Sequence, residues 1–128
     1  MIYLDSSVAL SALFTEPRSP PLDFWSQHLV SSRLLEYEIV NRVYTRLPGA
    51  ANLDAARTLL KSVTLLDMSP DILARALEPF PVPLRTLDGL HLATMDFLRA
   101  QGQNLQLASY DRRFIAAAEA LGFSAIAI

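Results

Sequence analysis

Short apolar segments alternate with longer helical ones along this chain, and that alternation constrains its fold more than any other feature. Composition and turn residues predict strands at 2–4, 28–31, 63–66, 105–109 and 125–128. The clearest helix is 32–47, where apolar residues recur at every fourth position from Leu35 to Leu47. Strands that alternate with helices typically form a mostly parallel sheet. The sequence therefore predicts one α/β domain, spanning residues 1–128, with a mostly parallel central sheet flanked by helices.

Capping residues and helix breakers mark the ends of the other predicted helices. Asp5 and the two serines after it offer N-cap chemistry to a helix at 8–14. Thr86 is expected to cap the helix 87–101, and Asp111 to open the last helix. Another helix is predicted to begin after Ser69 and to end at the prolines that start with Pro79. The remaining predicted helices lie at 22–27 and 53–62.

Composition excludes several classes of protein. A hydrophobic fraction of 52% with 19% charged residues is ordinary for a folded globular chain. No apolar run approaches the roughly 20 residues of a bilayer span. The first residues lack the basic and apolar regions of a signal peptide, so we expect a cytoplasmic protein. The absence of cysteine excludes disulfides, thiolate nucleophiles and cysteine-ligated zinc, which leaves carboxylates and two histidines as metal ligands.

Three acidic residues follow predicted strands or open predicted helices: Asp5, Asp88 and Asp111. Ligands of parallel α/β proteins gather outside the carboxyl ends of the strands, which is where these residues are expected. Each alone is explained by capping or by the helix dipole. Several carboxylates in one cleft repel one another, however, and persist mainly where a cation neutralises them. The pattern thus favours an oxygen-ligated Mg²⁺ or Mn²⁺ site suited to phosphoryl chemistry.

The predicted helix 32–47 carries two further acids, Glu36 and Glu38, on different faces. Glu36 falls within the arc of the apolar residues, whereas Glu38 lies beside Arg42. A solvated face with an ion pair between Glu38 and Arg42 would explain Glu38 without any site. Helical periodicity does not choose between the two glutamates.

Four segments, in this order, resemble the PIN-domain family and specifically its bacterial and archaeal VapC toxins. They are 2–7 (IYLDSS), 31–34 (SSRL) followed by Glu38, 84–94 (LRTLDGLHLAT), and 109–114 (SYDRRF). The resemblance maps the acidic metal site of the family onto Asp5, Glu38, Asp88 and Asp111, and so selects Glu38 over Glu36. Ser6 and Ser109 match small hydroxyl residues of the family that orient carboxylates or metal-bound water. Gly89 departs from the family, which commonly has alanine there.

The resemblance also implies a function. It implies a Mg²⁺-dependent endoribonuclease, with Mn²⁺ as an alternative metal, that forms a homodimer and is inhibited by a cognate antitoxin protein. The four carboxylates are then ligands rather than nucleophiles, and metal-activated water attacks the RNA phosphodiester.

Basic and histidine residues near the acids are further candidates. The net charge of −2 means that RNA must be bound by local basic patches, for which Arg85, Arg112 and Arg113 are candidates. Solvent-exposed ion pairing would explain these arginines equally well. His91 lies one helical turn after Asp88, and we expect it to be a hydrogen-bonded packing residue rather than a ligand or general base.

Two other functions remain open from the sequence. A catalytically silent PIN fold could act as a binding or scaffold subunit, because four acids do not guarantee a competent site. A housekeeping PIN nuclease would share the chemistry but have no antitoxin. Metal-dependent RNA cleavage would distinguish a nuclease from the silent scaffold. Complex formation with a small partner protein would distinguish a toxin from the housekeeping nuclease.

Overall fold

The computed structural model describes residues 1–128 and contains one four-stranded sheet. All strand pairs are parallel, in the order β3-β2-β1-β4, so the predicted parallel α/β class is confirmed. The strands are β1 (Ile2–Leu4), β2 (Leu29–Ser32), β3 (Val63–Leu66) and β4 (Gln106–Ala108). The helices are α1 (Ser6–Leu13), α2 (Leu34–Arg46), α3 (Ala50–Leu60), α4 (Pro70–Ala76), α5 (Thr86–Ala100) and α6 (Arg112–Ala120), with a 3₁₀ helix at Leu22–Ser26.

The central position of β1 determines what meets at the carboxyl edge of the sheet. β1 pairs with β2 on one side and with β4 on the other, where Leu4 lies beside Ala108. The pairing continues one residue further, because the backbone N–H of Asp5 donates to the carbonyl of Ala108 at 3.0 Å. The residues that follow β1 and β4, Asp5 and Ser109, therefore lie next to each other although they are 104 positions apart in the chain.

Helices cover both faces of the sheet, and each face has its own core. Ile2 and Leu4 of β1 point into the core that packs against α1, α2 and α3. Tyr3, between them, points into the opposite core, which contains buried residues of α5 and α6. This is the two-residue alternation of a strand buried on both sides. It brings the Tyr3 side chain to α5, where the candidate acid Asp88 also lies.

Several helix boundaries differ from the predictions. α5 begins at Thr86 itself, because the carbonyl of the preceding residue, Arg85, already accepts from the N–H of Gly89 at 2.9 Å. Arg85 is therefore the N-cap residue, and its side chain makes no capping hydrogen bond. The predicted cap at Thr86 is therefore wrong. α3 begins at Ala50, directly after Gly49, whose positive φ turns the chain into the helix three residues before the predicted start.

The predicted strand at 125–128 is reduced to a single parallel bridge between Leu107 and Ala125. Leu107 donates to the carbonyl of Ser124 and accepts from the N–H of Ile126, and no further ladder follows. The apolar composition of these residues favours a strand, but Leu107 is the one residue of β4 that pairs with them. None of the helices combines the length and the apolar character that crossing a membrane would require.

Candidate active site

A cavity of about 560 Å³ opens at the carboxyl edge of the sheet, and four acids proposed from the sequence line it. Asp5 comes from the turn after β1, Glu38 from α2, Asp88 from the first turn of α5, and Asp111 from the turn after β4. Glu36 does not line this cavity and lies instead in a groove on another side of α2. The fold thus brings four separate segments of the chain together around one cavity.

Asp5 is the most deeply buried of these acids, with 5% of its surface exposed. Its Oδ2 accepts hydrogen bonds from the hydroxyls of Ser7 at 2.6 Å and Ser109 at 2.7 Å. Although Asp5 occupies the N-cap position of α1, its carboxylate makes no capping bond to the helix. Burial raises the pKa of Asp5, the two serine hydroxyls lower it, and the nearby charge of Glu38 raises it again. The net effect is a raised pKa for a carboxylate oriented by hydroxyl groups.

Ser7 links the segment after β1 to the segment after β4, a role that its position in the sequence does not indicate. Its hydroxyl donates to Asp5 and accepts from the backbone N–H of Tyr110 at 2.9 Å. Ser109 similarly accepts from the N–H of Asp111 at 3.0 Å while it donates to Asp5. A hydroxyl two residues after an acid at a helix start is a common local pattern, so only the tertiary contact to Tyr110 reveals the role of Ser7.

Asp88 and Asp111 face each other across an arginine. The Nε atom of Arg85 lies 3.7 Å from Asp88 Oδ2, and its Nη2 atom lies 3.6 Å from Asp111 Oδ2. The other oxygen of Asp111 caps α6 by accepting from the N–H groups of Arg113 and Phe114, at 3.0 and 3.3 Å. Capping and a place in the cavity are therefore compatible for Asp111, because each function uses a different oxygen.

The electrostatics of Asp88 are those of a crowded carboxylate. Burial raises the pKa of Asp88, and the charges of Asp111 and Asp5 raise it further, whereas Arg85 lowers it only in part. The Arg85 side chain is 69% exposed, so water screens its charge. The acids around Asp88 consequently carry more negative charge than Arg85, the one arginine that lowers the pKa of Asp88, neutralises.

Glu38 is held by side chains from two other elements. One carboxylate oxygen, Oε2, accepts from the Ser6 hydroxyl at 3.2 Å, and the other, Oε1, forms a short hydrogen bond with Nε2 of His91. The ion pair between Glu38 and Arg42 that helix spacing allowed does not form. His91 is hydrogen-bonded and fully buried, as the sequence suggested, but its link to Glu38 joins two helices whose cores lie on opposite faces of the sheet.

Arginines of α2 extend the lining of the cavity. Arg42 and Arg46 follow Glu38 at intervals of four residues, so all three lie on one face of the helix. Arg42 is exposed and forms no ion pair, while the guanidinium of Arg46 lies over the ring of Phe14 at 4.8 Å. Arg85 also lines the cavity, whereas the other two arginines proposed from the sequence, Arg112 and Arg113, do not.

The donor chemistry of this cavity fits a hard divalent cation. The available ligands are carboxylate oxygens, and the mutual charges that raise the pKa values of Asp5 and Asp88 are those that a cation would offset. The side chains do not converge on a single point, since no three histidine or acidic side chains lie close enough together to hold an ion. Binding would therefore require side-chain movement, above all of Arg85 between Asp88 and Asp111.

Comparisons with known proteins give a family match and relatives along nearly the whole chain. Residues 2–120 match the family described as PIN domain. Two relatives come from Mycobacterium tuberculosis. The first, Ribonuclease VapC46, is 36% identical, and the alignment covers 98% of this chain and 96% of that protein. Ribonuclease VapC47 is 27% identical, with 96% and 93% covered. A solved structure described as a toxin-antitoxin complex from Klebsiella pneumoniae has a TM-score of 0.68 at 17% identity, covering 94% of both chains, which shows a shared fold.

Replacing one crowded carboxylate should stabilise the protein in the absence of divalent cations. Because the folded pKa of Asp88 is raised, its ionised form costs stability above that pKa, and the cost disappears as pH falls below the unfolded value. We expect Asp88→Asn to gain roughly 0.5–2 kcal/mol at pH 7 in EDTA, and the gain to shrink toward pH 4. Thermal unfolding at several pH values measures this effect. Asp54→Asn, an exposed change outside the cavity, is the control, and an Asp88→Asn protein less stable than wild type at pH 7 would contradict the assignment.

Proposed function

The chain belongs to the PIN-domain family, and on this premise we propose that it is a divalent-metal-dependent endoribonuclease, the toxin of a toxin–antitoxin pair. One observation carries the proposal: four carboxylates from four separate segments line one cavity at the carboxyl edge of the sheet. Relatives named ribonuclease align along nearly the whole chain, which supports RNA as the substrate.

In the proposed mechanism, Asp5, Glu38, Asp88 and Asp111 would hold Mg²⁺ or Mn²⁺. Such an ion, when bound, would supply activated water and would neutralise charge on the phosphodiester. Ser7 and Ser109 orient Asp5 through hydroxyl bonds, and Ser6 orients Glu38. The cap of α6 holds one oxygen of Asp111, and its other oxygen faces the cavity and Arg85 at 3.6 Å. The carboxylates act as ligands and leave the attack on phosphorus to water.

The arginines beside the acids supply the attraction that the net charge of −2 does not. Arg42 and Arg46 continue the line of Glu38 along α2, so an RNA strand whose scissile phosphate lies at the acids can place neighbouring phosphates on these guanidinium groups. Arg85 contacts Asp88 and Asp111 in the absence of substrate and can turn to a phosphate once a cation neutralises these acids. Backbone contacts of this kind bind many sequences.

Metal-dependent cleavage is the direct test of the proposed activity. The wild-type protein should cut a mixed RNA pool with Mg²⁺ or Mn²⁺ and lose all cutting in EDTA. Asp5→Ala and Asp88→Ala should each lower the rate by about 100-fold or more while the fold, measured by circular dichroism, is kept. Asp54→Ala, exposed and outside the cavity, should cut like wild type. If well-folded, antitoxin-free protein cuts none of the RNAs, the scaffold function replaces this one.

The basic face of α2 gives a second prediction, on substrate binding. In the cleavage-deficient Asp88→Ala background, Arg42→Gln and Arg46→Gln should weaken binding of a fluorescent single-stranded RNA. Each lost phosphate contact should also reduce the slope of log affinity against log salt by about 0.7. Fluorescence anisotropy at several salt concentrations measures both quantities. Arg57→Gln, an exposed arginine of α3 away from the cavity, is the matched control. An unchanged slope in both α2 variants would show that RNA follows another path.

The proposed partners are a second copy of the chain and a small antitoxin protein. Support comes from the relatives named VapC and from the fold shared with a toxin-antitoxin complex. Light scattering should give a homodimer for the purified chain and a larger complex after co-expression with the product of the adjacent small gene. Expression of the chain alone should arrest growth, and co-expression should relieve the arrest. Active nuclease that neither arrests growth nor binds such a partner would be a housekeeping enzyme.

A further inference from the structure

His91 connects the centre of the fold to the candidate active site. It lies on α5 one turn after Asp88, is fully buried, and uses both ring nitrogens. Nδ1 is 2.7 Å from the hydroxyl oxygen of Tyr3 on the central strand, and Nε2 forms the short hydrogen bond to Glu38. A buried histidine normally has partners. The informative feature is which partners these are: a core tyrosine on one side and a cavity carboxylate on the other.

The direction of the hydrogen bonds follows from the chemistry of the two partners of His91. The carboxylate of Glu38 can only accept, so Nε2 of His91 donates to it. The Tyr3 hydroxyl, whose oxygen accepts from the backbone N–H of Ser32 at 3.2 Å, has a proton that it donates to Nδ1 of His91. Burial raises the pKa of Tyr3 far above its usual range, so the phenol remains a donor. A neutral imidazole that accepts at Nδ1 carries its proton on Nε2. The ring therefore donates from Nε2 to Glu38.

Glu38 depends on such a partner more than Asp5 or Asp111 does. Asp5 has a short side chain held by Ser7 and Ser109, and Asp111 is held by two N–H groups of α6. Glu38 has a longer side chain, projects from the middle of α2, and accepts no backbone N–H. Its position depends on Ser6 and His91 alone, and the Ser6 contact of 3.2 Å is the longer of the two.

We propose that His91 is a positioning residue, held in its Nε2–H tautomer by Tyr3, that fixes the carboxylate of Glu38 for divalent-metal binding. This inference rests on the proposed function. His91 acts through Glu38 because both its nitrogens are occupied and its ring does not line the cavity, which excludes it as a ligand or general base. Such a hydrogen bond behind a metal ligand orients the ligand and typically changes metal affinity by about 10–100-fold.

The test compares three variants that remove different parts of this connection. His91→Leu removes the donor to Glu38, His91→Gln replaces the ring by an amide that can still donate, and Tyr3→Phe removes only the hydroxyl that sets the tautomer. Met95→Leu, equally buried on α5 and nearly the same volume, is the control for packing. Circular dichroism and thermal unfolding establish that each protein is folded. Mn²⁺ affinity, measured by electron paramagnetic resonance without RNA, is the main readout.

We expect His91→Leu to bind Mn²⁺ about 10–100-fold more weakly than wild type. His91→Gln should recover most of that loss, and Met95→Leu should bind normally. In ¹⁵N-labelled wild-type protein, nuclear magnetic resonance of the imidazole should show a proton on Nε2 and none on Nδ1, and Tyr3→Phe should lose this single tautomer. Two results would overturn this inference and leave the proposed function standing. One is folded His91→Leu protein with wild-type Mn²⁺ affinity, and the other is a proton on Nδ1 of His91 in the wild-type protein. Absence of Mn²⁺ binding by wild type would overturn the proposed function with it.

Discussion

The buried carboxylate of Asp5 is the group on which the rest of the cavity depends. A charge in that position is costly unless hydrogen bonds compensate for the lost water, and the compensation comes from Ser7 and Ser109, which stand at opposite ends of the chain. Both hydroxyls reach Asp5 only because β1 and β4 are parallel neighbours in the register that places Leu4 beside Ala108. A shift of that register by one residue would move Asp5 away from Ser109 and leave the carboxylate without this donor.

The two aspartates of α5 show how environment, and not residue type, separates a site from a structural ion pair. Burial raises the pKa of Asp96 as well, but hydrogen bonds from Arg75 at 2.6 Å and Arg99 at 2.8 Å lower the pKa below its usual value. Asp88, two turns earlier, faces Asp111 and Asp5, and its pKa is raised. Asp96 is a satisfied group that supports the fold. Asp88 is an unsatisfied one, and such raised pKa values in a cavity are typical of functional positions.

The parts of this structure that could be predicted from sequence are those that local patterns encode. Apolar segments and caps locate β1, α2 and the helix start at Asp111, because each depends on neighbours within one or two turns. Helical periodicity could not choose between Glu36 and Glu38, since it gives directions around α2 without saying which direction meets the cavity. The choice came from the family resemblance, and the contact with His91 depends on residues 53 positions apart. The prediction of a strand at 125–128 was wrong for the same reason, because strand pairing depends on backbone from another part of the chain.

The cavity has one half that is held firmly and one half that is free to adjust. Asp5 and Glu38 are fixed by short hydrogen bonds from serine hydroxyls and a buried imidazole, which require no large movement to receive a ligand. Asp88 and Asp111 are set opposite an arginine that is 69% exposed and more than 3.5 Å from either carboxylate. Contacts of that kind are weak and screened. A cation that binds at the firm half therefore has only Arg85 to displace, which explains how an acidic cavity without three converging ligands still fits a metal site.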